Sequence, residues 1–209
     1  MTIQHVRTFV AARRLAAVAA LLACAGAPPS SASAASSASF GLIRSAGLPG
    51  TCATKAKATA KIVSLGFAEK LTVSVTGLAP DTATDLFVIQ VPNKPFGVAW
   101  YLGDLQADGT GKVTKSFISR LNIETFAVAV GSAPAPKTHK ADAATNPPFA
   151  PVHTYHLGIW FNSNADAAKN GCPAAPSPGT PFNGDHTAGI QVLNTGGFPD
   201  THGPLSNVD

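Results

Sequence analysis

Three cysteines, one methionine and four tryptophan or tyrosine residues are all that the 209-residue chain holds of its rarer side chains, and only 12% of it is charged. Long apolar runs are missing too. The longest, Leu15 to Ala25 ("LAAVAALLACA"), covers about eleven residues, against the roughly twenty that a spanning helix needs, so no transmembrane helix is expected. There is no Gly-x-Ser-x-Gly elbow to present a nucleophilic serine. No internal repeat and no second composition regime divides the chain, and the 150 or so residues beyond residue 50 suffice for one domain with a sizeable core.

What is present begins with an export signal. Arg7, Arg13 and Arg14 precede the apolar run without any carboxylate, and "GAPPSSASAASSAS" follows it. A positive start, a short apolar stretch and a small-residue site make a secretory signal peptide over residues 1–34. Cleavage is expected after Ala34, with Ala32 and Ala34 at the small positions and Pro28 blocking a cut after Ala27. "LLAC" at Leu21 to Cys24 is similar to a lipobox, so acylation of Cys24, which would anchor the chain at the outer face of the cell membrane, stays open as the alternative. The expected location is secreted and extracellular.

The leader also accounts for the apparent basicity. Of fifteen lysines and arginines, three arginines leave with residues 1–34, and twelve basic side chains then face eleven acidic ones. A near-neutral mature chain removes the electrostatic argument for nucleic acid as a partner. With Cys24 discarded or lipidated, Cys52 and Cys172 are left as the only possible pair, and an oxidising compartment implies one disulfide between them.

The expected organisation is a leader at 1–34, a flexible linker at 35–50 ("ASSASFGLIRSAGLPG"), a folded domain at 51–198 and a C-terminal tail at 199–209. Within the domain, Leu71, Val73 and Val75 alternate with Thr72, Ser74 and Thr76, the period-two mark of a strand with one wet face. "LFVIQV" at Leu86 to Val91 is apolar on both faces and reads as a central strand. "VAWYL", "KVTKSF", "IETFAVAV", "TYHLGIWF" and "AGIQVL" supply further strands, with "ADGTG" as a hairpin loop. Only "NADAAKNG" at Asn164 to Gly171 looks helical, with Asn164 as its cap and Gly171 as its stop. The pattern predicts an all-β fold: a single immunoglobulin- or fibronectin-like sandwich of seven or eight antiparallel strands, long Pro/Gly-rich loops and one short helix, with a β-barrel as the alternative.

Four chemistries are candidates. His153, His156, Asp185 and His186 could hold a metal if they converge, although His153 and His156 are three apart on a strand and should leave opposite faces. Asn162, Asn164 and Asp166 have the spacing of the first calcium ligands of an EF-hand, but Ala167 stands at the obligatory glycine and Pro173 at the bidentate glutamate. Paired carboxylates for glycoside cleavage need a shared cleft. Here Glu124 is the one carboxylate inside an expected strand, and Asp104 and Glu69 read as solvated surface charges. The fourth is aromatic: on "YHLGIWF", His156, Gly158 and Trp160 leave one face, so that the glycine opens a notch between imidazole and indole. Trp100 and Tyr101 could extend it into a platform for a carbohydrate or a peptide. Against that stands core filling by both tryptophans.

"FVIQVPNKPFGVAWYLGD", "IETFAVA", "YHLGIWFNSNADAAKNGC" and "TPFNGDHTAGIQVLNT" are similar to a set of exported proteins from high-GC Gram-positive bacteria whose activity is not established. The similarity covers roughly Cys52 to Pro199; it implies one exported domain with the same cysteine pair and carries over no functional residue. "TVSVTGLAPDT" also resembles the strand and turn of fibronectin type III modules, with Thr84 where those modules carry a tyrosine. The function expected from all this is an exported, non-catalytic, monomeric binding or cell-envelope interaction module without a cofactor. The alternative is a small secreted enzyme or metal-dependent protein built on the histidine region. Mass spectrometry of protein from culture medium, digested without reductant, should show the Cys52 and Cys172 peptides joined and an N-terminus near Ala35; intact cytosolic protein with free thiols would overturn the compartment.

Overall fold

Period-two alternation decides which backbone goes where. The computed structural model describes residues 37–123, 125–127, 152–176 and 188–208. They form strands β1 (Ser37–Arg44), β2 (Lys57–Ser64), β3 (Glu69–Thr76), β4 (Ala83–Ile89), β5 (Ala99–Gln106), β6 (Val113–Ser119), β7 (Phe126–Ala127), β8 (Val152–His153), β9 (His156–Phe161) and β10 (Gln191–Asn194). Helix α1 (Asn164–Lys169) precedes β10, and a 3-10 turn, Pro204–Asn207, closes the chain. No helix among the described residues is long and apolar enough to cross a membrane.

Eight of the strands make one antiparallel sheet in the order β5-β4-β9-β10-β1-β2-β3-β6, with β7 and β8 paired separately. Counted from β2, the layers β2-β3-β6 and β5-β4-β9-β10 have the A-B-E and C′-C-F-G pairing of immunoglobulin-like sandwiches. Strand β1 joins the two layers: Ser37 to Leu42 pair with β2, whereas Ile43 and Arg44 pair with β10. The remaining edges, β5 and β6, face each other. Lys115 Nζ donates to the Asp104 carbonyl at 2.8 Å, and the Phe117 ring lies against Gly103. The fold is therefore all-β as expected, a sandwich closed almost to a barrel.

The core fills the space between the layers. Leu71, Val73 and Val75 of β3 meet Leu86 and Val88 of β4 and Leu157, Ile159 and Phe161 of β9, all fully buried; each contributes about 1.5 to 3 kcal/mol of burial. A smaller cluster of Phe87, Ile89 and Trp160 covers the outer face of β4 and β9, with Phe96 and Ala99 against it. That second layer explains why these two strands are apolar on both sides.

Three boundaries differ from expectation. Residues 35–50 are not a linker throughout, because β1 occupies eight of them, with Leu42 in the core; small residues conceal an alternation of Ala38, Phe40 and Leu42. Residues 199–209 are not a tail: Leu205 and Val208 are buried in the core, and Ile123 N–H donates to the Val208 carbonyl at 2.9 Å. The helix cap is Ser163, not Asn164. Its hydroxyl accepts from Asp166 N–H at 3.1 Å, while Asn164 Oδ1 takes the Ala175 N–H. Gly171 follows the helix at φ +68, as a stop should.

Cys52 and Cys172 form the disulfide, with Cα atoms 4.3 Å apart across a sequence separation of 120. It fastens the loop before β2 to the end of α1, where Ala53 N–H also donates to the Asn170 carbonyl at 2.8 Å. A loop of that length is worth roughly 5 kcal/mol on the chain-entropy model, against the typical 2 to 4. Reduction, or paired Cys52→Ser and Cys172→Ser substitution, should therefore lower the melting temperature by about 10 °C; an unchanged melt would show the bridge to be energetically idle.

Candidate functional site

The expected aromatic platform does not exist as an open surface. Trp160 is only 3% exposed. Its ring lies over Gly158, where an added Cβ would strike both the indole and Gln191 Nε2 at 2.8 Å, so the notch is filled by the indole itself. Phe87 and Phe96 meet the ring edge-on at centroid distances of 5.2 and 5.0 Å. Tyr101 shares this outer face, packs on Phe87 at 5.7 Å and stays 46% exposed. Trp100, one residue earlier, turns the other way and packs against the main core.

His156 is fully buried beneath the C-terminal segment. Its Nε2 lies 3.2 Å from the carbonyls of both Pro199 and Asp200, and its Nδ1 2.9 Å from Thr195 Oγ1. Carbonyls only accept, so Nε2 carries the proton and the Thr195 hydroxyl donates to Nδ1. Thr195 Oγ1 in turn accepts the Leu157 N–H at 3.1 Å. This is a structural lock for the last segment rather than a presented imidazole. His153 lies apart, stacked on Tyr155 at 4.9 Å, and Asp185 and His186 fall outside the described residues. Among the described residues no three His, Cys, Asp or Glu side chains are grouped as metal ligands.

The carboxylates also sort differently. Glu69 is not a solvated charge: it is buried and accepts the Leu121 N–H at 2.6 Å. The Asp166 carboxylate accepts from the Ser163 hydroxyl at 2.5 Å, the Ala83 N–H at 3.2 Å and Lys169 Nζ at 3.3 Å. Glu124 lies outside the described residues, and the buried strand carboxylates are Glu69, at the start of β3, and Asp85 of β4, opposite Asp104 in register. With its amide nitrogen turned toward it, Asn162 lies 3.2 and 3.3 Å from the two Asp85 oxygens. Tyr101 Oη donates to Asp104 Oδ1 at 2.5 Å. Burial, that bond and the nearby charges of Asp104 and Asp85 push the phenol far above its ordinary range, so it stays a donor at any working pH.

A concave site does lie beside Trp160. It is a groove of about 790 Å³, walled by Leu48 and Pro49 on one side and Phe96 and Trp160 on another, with Pro173 and Pro176 on a third; Lys94 and Gln191 supply polar groups. Each wall is held by bonds that the backbone requires. Arg44, at the end of β1, donates to the carbonyls of Cys52 at 3.0 Å and Leu48 at 2.8 Å and to that of Pro49, folding residues 45–52 around its guanidinium. The opposite wall hangs on the Pro92 carbonyl, which accepts from Gln191 Nε2 at 3.1 Å and Asn194 Nδ2 at 2.8 Å; Gln191 Oε1 accepts from Ser45 Oγ and from Asn194 Nδ2, each at 2.8 Å. Every member of this network is buried, so a lost partner would leave an unpaired polar group. The third wall follows directly from Cys172.

Ser45, Gln191 and Asn194 were missed in the sequence, yet Gln191 gave a signal: it is the polar residue within an apolar strand, and such a residue needs a buried partner. No family model, curated protein or solved structure matches the chain.

Burial pushes the His156 imidazole below its ordinary range, opposed by its carbonyl partners and Asp200, and burial does the same to His153. A folded-state value below the unfolded value of about 6.5 means that the unfolded chain takes up protons first. Stability is thus complete above pH 6.5 and is lost as pH falls below it, by up to about 1.4 kcal/mol per pH unit for His156. Thermal melts from pH 7 to pH 5 should show this decline, and His156→Gln should flatten it; equal slopes in both proteins would place the titration elsewhere.

Proposed function

We propose that the protein is an exported, non-catalytic binding module whose ligand seats in the groove between residues 45–49, Phe96 and Pro173–Pro176. The observation that carries this reading is the way the groove is built. Its volume lies within the 300 to 1,000 Å³ of ordinary ligand sites, and it has the usual mostly apolar lining with a few placed polar groups. Three independent devices fix its walls before any ligand arrives: the Arg44 carbonyl cluster, the Ser45–Gln191–Asn194 network and the disulfide beside Pro173. A preformed site of this kind avoids the ordering cost of binding. The disulfide also supports export, since such bonds persist in oxidising compartments.

Between carbohydrate and peptide, the geometry favours an apolar peptide segment. Sugars stack on open ring faces, and the Trp160 ring is almost wholly buried. An extended chain can instead place one apolar side chain against Leu48 and Phe96 and present a carboxylate or carbonyl to Lys94.

Screening the secreted protein on a peptide array and a glycan array tests this directly. Apolar peptides should bind, Ala174→Trp should weaken that binding at least tenfold by filling the groove, and Lys94→Ala should weaken it about fivefold. Ala174 is an exposed lining residue, so the melting temperature should not move. Glycan binding alone, or peptide binding indifferent to Ala174→Trp, would sink the proposal.

A further inference from the structure

The near-neutral charge of the mature chain conceals a strongly one-sided face. On the outer side of β1, β2, β3 and β6, register places Ser37, Val63, Lys70 and Ile118 in one row and Ser39, Lys61, Thr72 and Ser116 in the next. Cross-strand bonds confirm that these side chains share a face: Thr72 Oγ1 lies 2.8 Å from Ser116 Oγ, and Ser74 Oγ 2.9 Å from Thr114 Oγ1. Lys57 continues the face on β2. The single carboxylate on these four strands, Glu69, turns inward to Leu121 N–H. The face is thus cationic and hydroxyl-rich, with no acid of its own.

One end of it is apolar. The β2–β3 turn carries Leu65 at 43% exposure and Phe67 at 77%, and Ile118 beside it is 66% exposed. The turn is held in place, because Leu65 N–H donates to the Ala68 carbonyl at 2.7 Å and Arg120 Nη1 to the Phe67 carbonyl at 2.7 Å. Lys70 and Ile118 pair directly, so cation and apolar side chain alternate around the tip. Large apolar side chains grouped at a tip and ringed by cations mark an interaction surface rather than chance exposure.

We propose that this tip is a peripheral membrane-docking site, with Phe67, Leu65 and Ile118 entering the interfacial region of an anionic lipid bilayer while Lys61, Lys70 and Arg120 meet its phosphate headgroups. Both halves of the surface are then used: cations near an anionic leaflet are attracted within a Debye length, and the apolar trio leaves water. A soluble anionic polymer would engage the lysines and hydroxyls but would leave Phe67 in water. Ser37, where the described chain enters the sheet, lies in the same end row as Val63 and Lys70, so an upstream membrane tether would reach the fold at its docking end. The groove lies elsewhere and is not needed for this inference.

The test is co-sedimentation of the full secreted chain with vesicles of equal phosphatidylglycerol and phosphatidylcholine, beside pure phosphatidylcholine, in low and high salt. Binding to the anionic vesicles should weaken in high salt. Phe67→Ser should reduce it about tenfold or more, and Lys61→Ala and Lys70→Ala about fivefold each, while Lys169→Ala on α1 should leave it unchanged. Phe67→Trp should give emission that shifts to the blue on vesicles. Matched melting temperatures separate these effects from misfolding, as Phe67 packs little in the fold. No binding to anionic vesicles overturns the proposal. So does binding that inorganic polyphosphate abolishes and Phe67→Ser does not alter, since that outcome assigns the face to an anionic polymer.

Discussion

A single strand with hydrogen bonds along both sides makes the two layers of this protein into one body. Remove β1, and β2 and β10 would each expose a row of unpaired N–H and C=O groups, the edge that native sheets must cover. With β1 in place, the ladder runs unbroken from β10 to β2. The strand can serve both layers because its pairing changes partner between Leu42 and Ile43. Its two ends then set the two surfaces of interest. Arg44 and Ser45, at its C-terminal end, anchor the groove; Ser37, at its start, lies in the row of the apolar tip.

The outer face of β4, β5 and β9 shows how a sandwich can bury a tryptophan without placing it in the main core. Gly158 lacks a side chain and leaves room for the Trp160 ring, while Phe87 from β4 and Phe96 from the loop after it close around the edges. The loop that carries Phe96 has few ladder bonds of its own. It is held through the Pro92 carbonyl by Gln191 and Asn194, so a polar network on β10 decides whether an aromatic cluster on β4 and β9 stays covered. The groove is the remainder of that arrangement, the space left between the Phe96 loop, the Arg44 loop and the segment after the disulfide.

Strong alternation made part of this legible in the sequence. Leu71, Val73 and Val75 point inward as their spacing demands, and the two-sided apolar run from Leu86 is an inner strand. Cysteine counting gave the disulfide because elimination left one pairing. The other elements were hidden for physical reasons. In β1 and β2 half of the inward positions, Ala38, Ala58 and Ala60, are alanines, whose small burial leaves a weak hydrophobic signal, and the serines of β1 resemble a linker. Glu69 looked solvated because its backbone opens a strand next to a turn; only the fold shows that its side chain turns inward to an amide on the next connection. The choice between aromatic platform and buried tryptophans could not be made from sequence for a related reason. Sequence gives the direction in which Trp160 leaves its strand, but what covers it comes from Phe87 and Phe96, more than sixty positions away.

Net charge sums over a surface that the strands divide. Among the described acids, Asp85 and Asp104 sit on the side of β4 and β5, Asp166 accepts from the Ser163 cap and the Ala83 N–H, Asp108 closes the hairpin loop through Thr110 and Lys112, Glu69 is buried, and Asp81 and Asp200 lie in turns. None of them faces outward from β2 or β3. The lysines of those strands occupy alternate positions that the pleat turns outward, a placement that also suits a strand whose other face must be apolar. The segregation is therefore a direct result of binary patterning on one layer. One layer acquires a cationic side because the described acids lie elsewhere, and an electric field with that asymmetry orients the molecule at any negatively charged surface before contact is made.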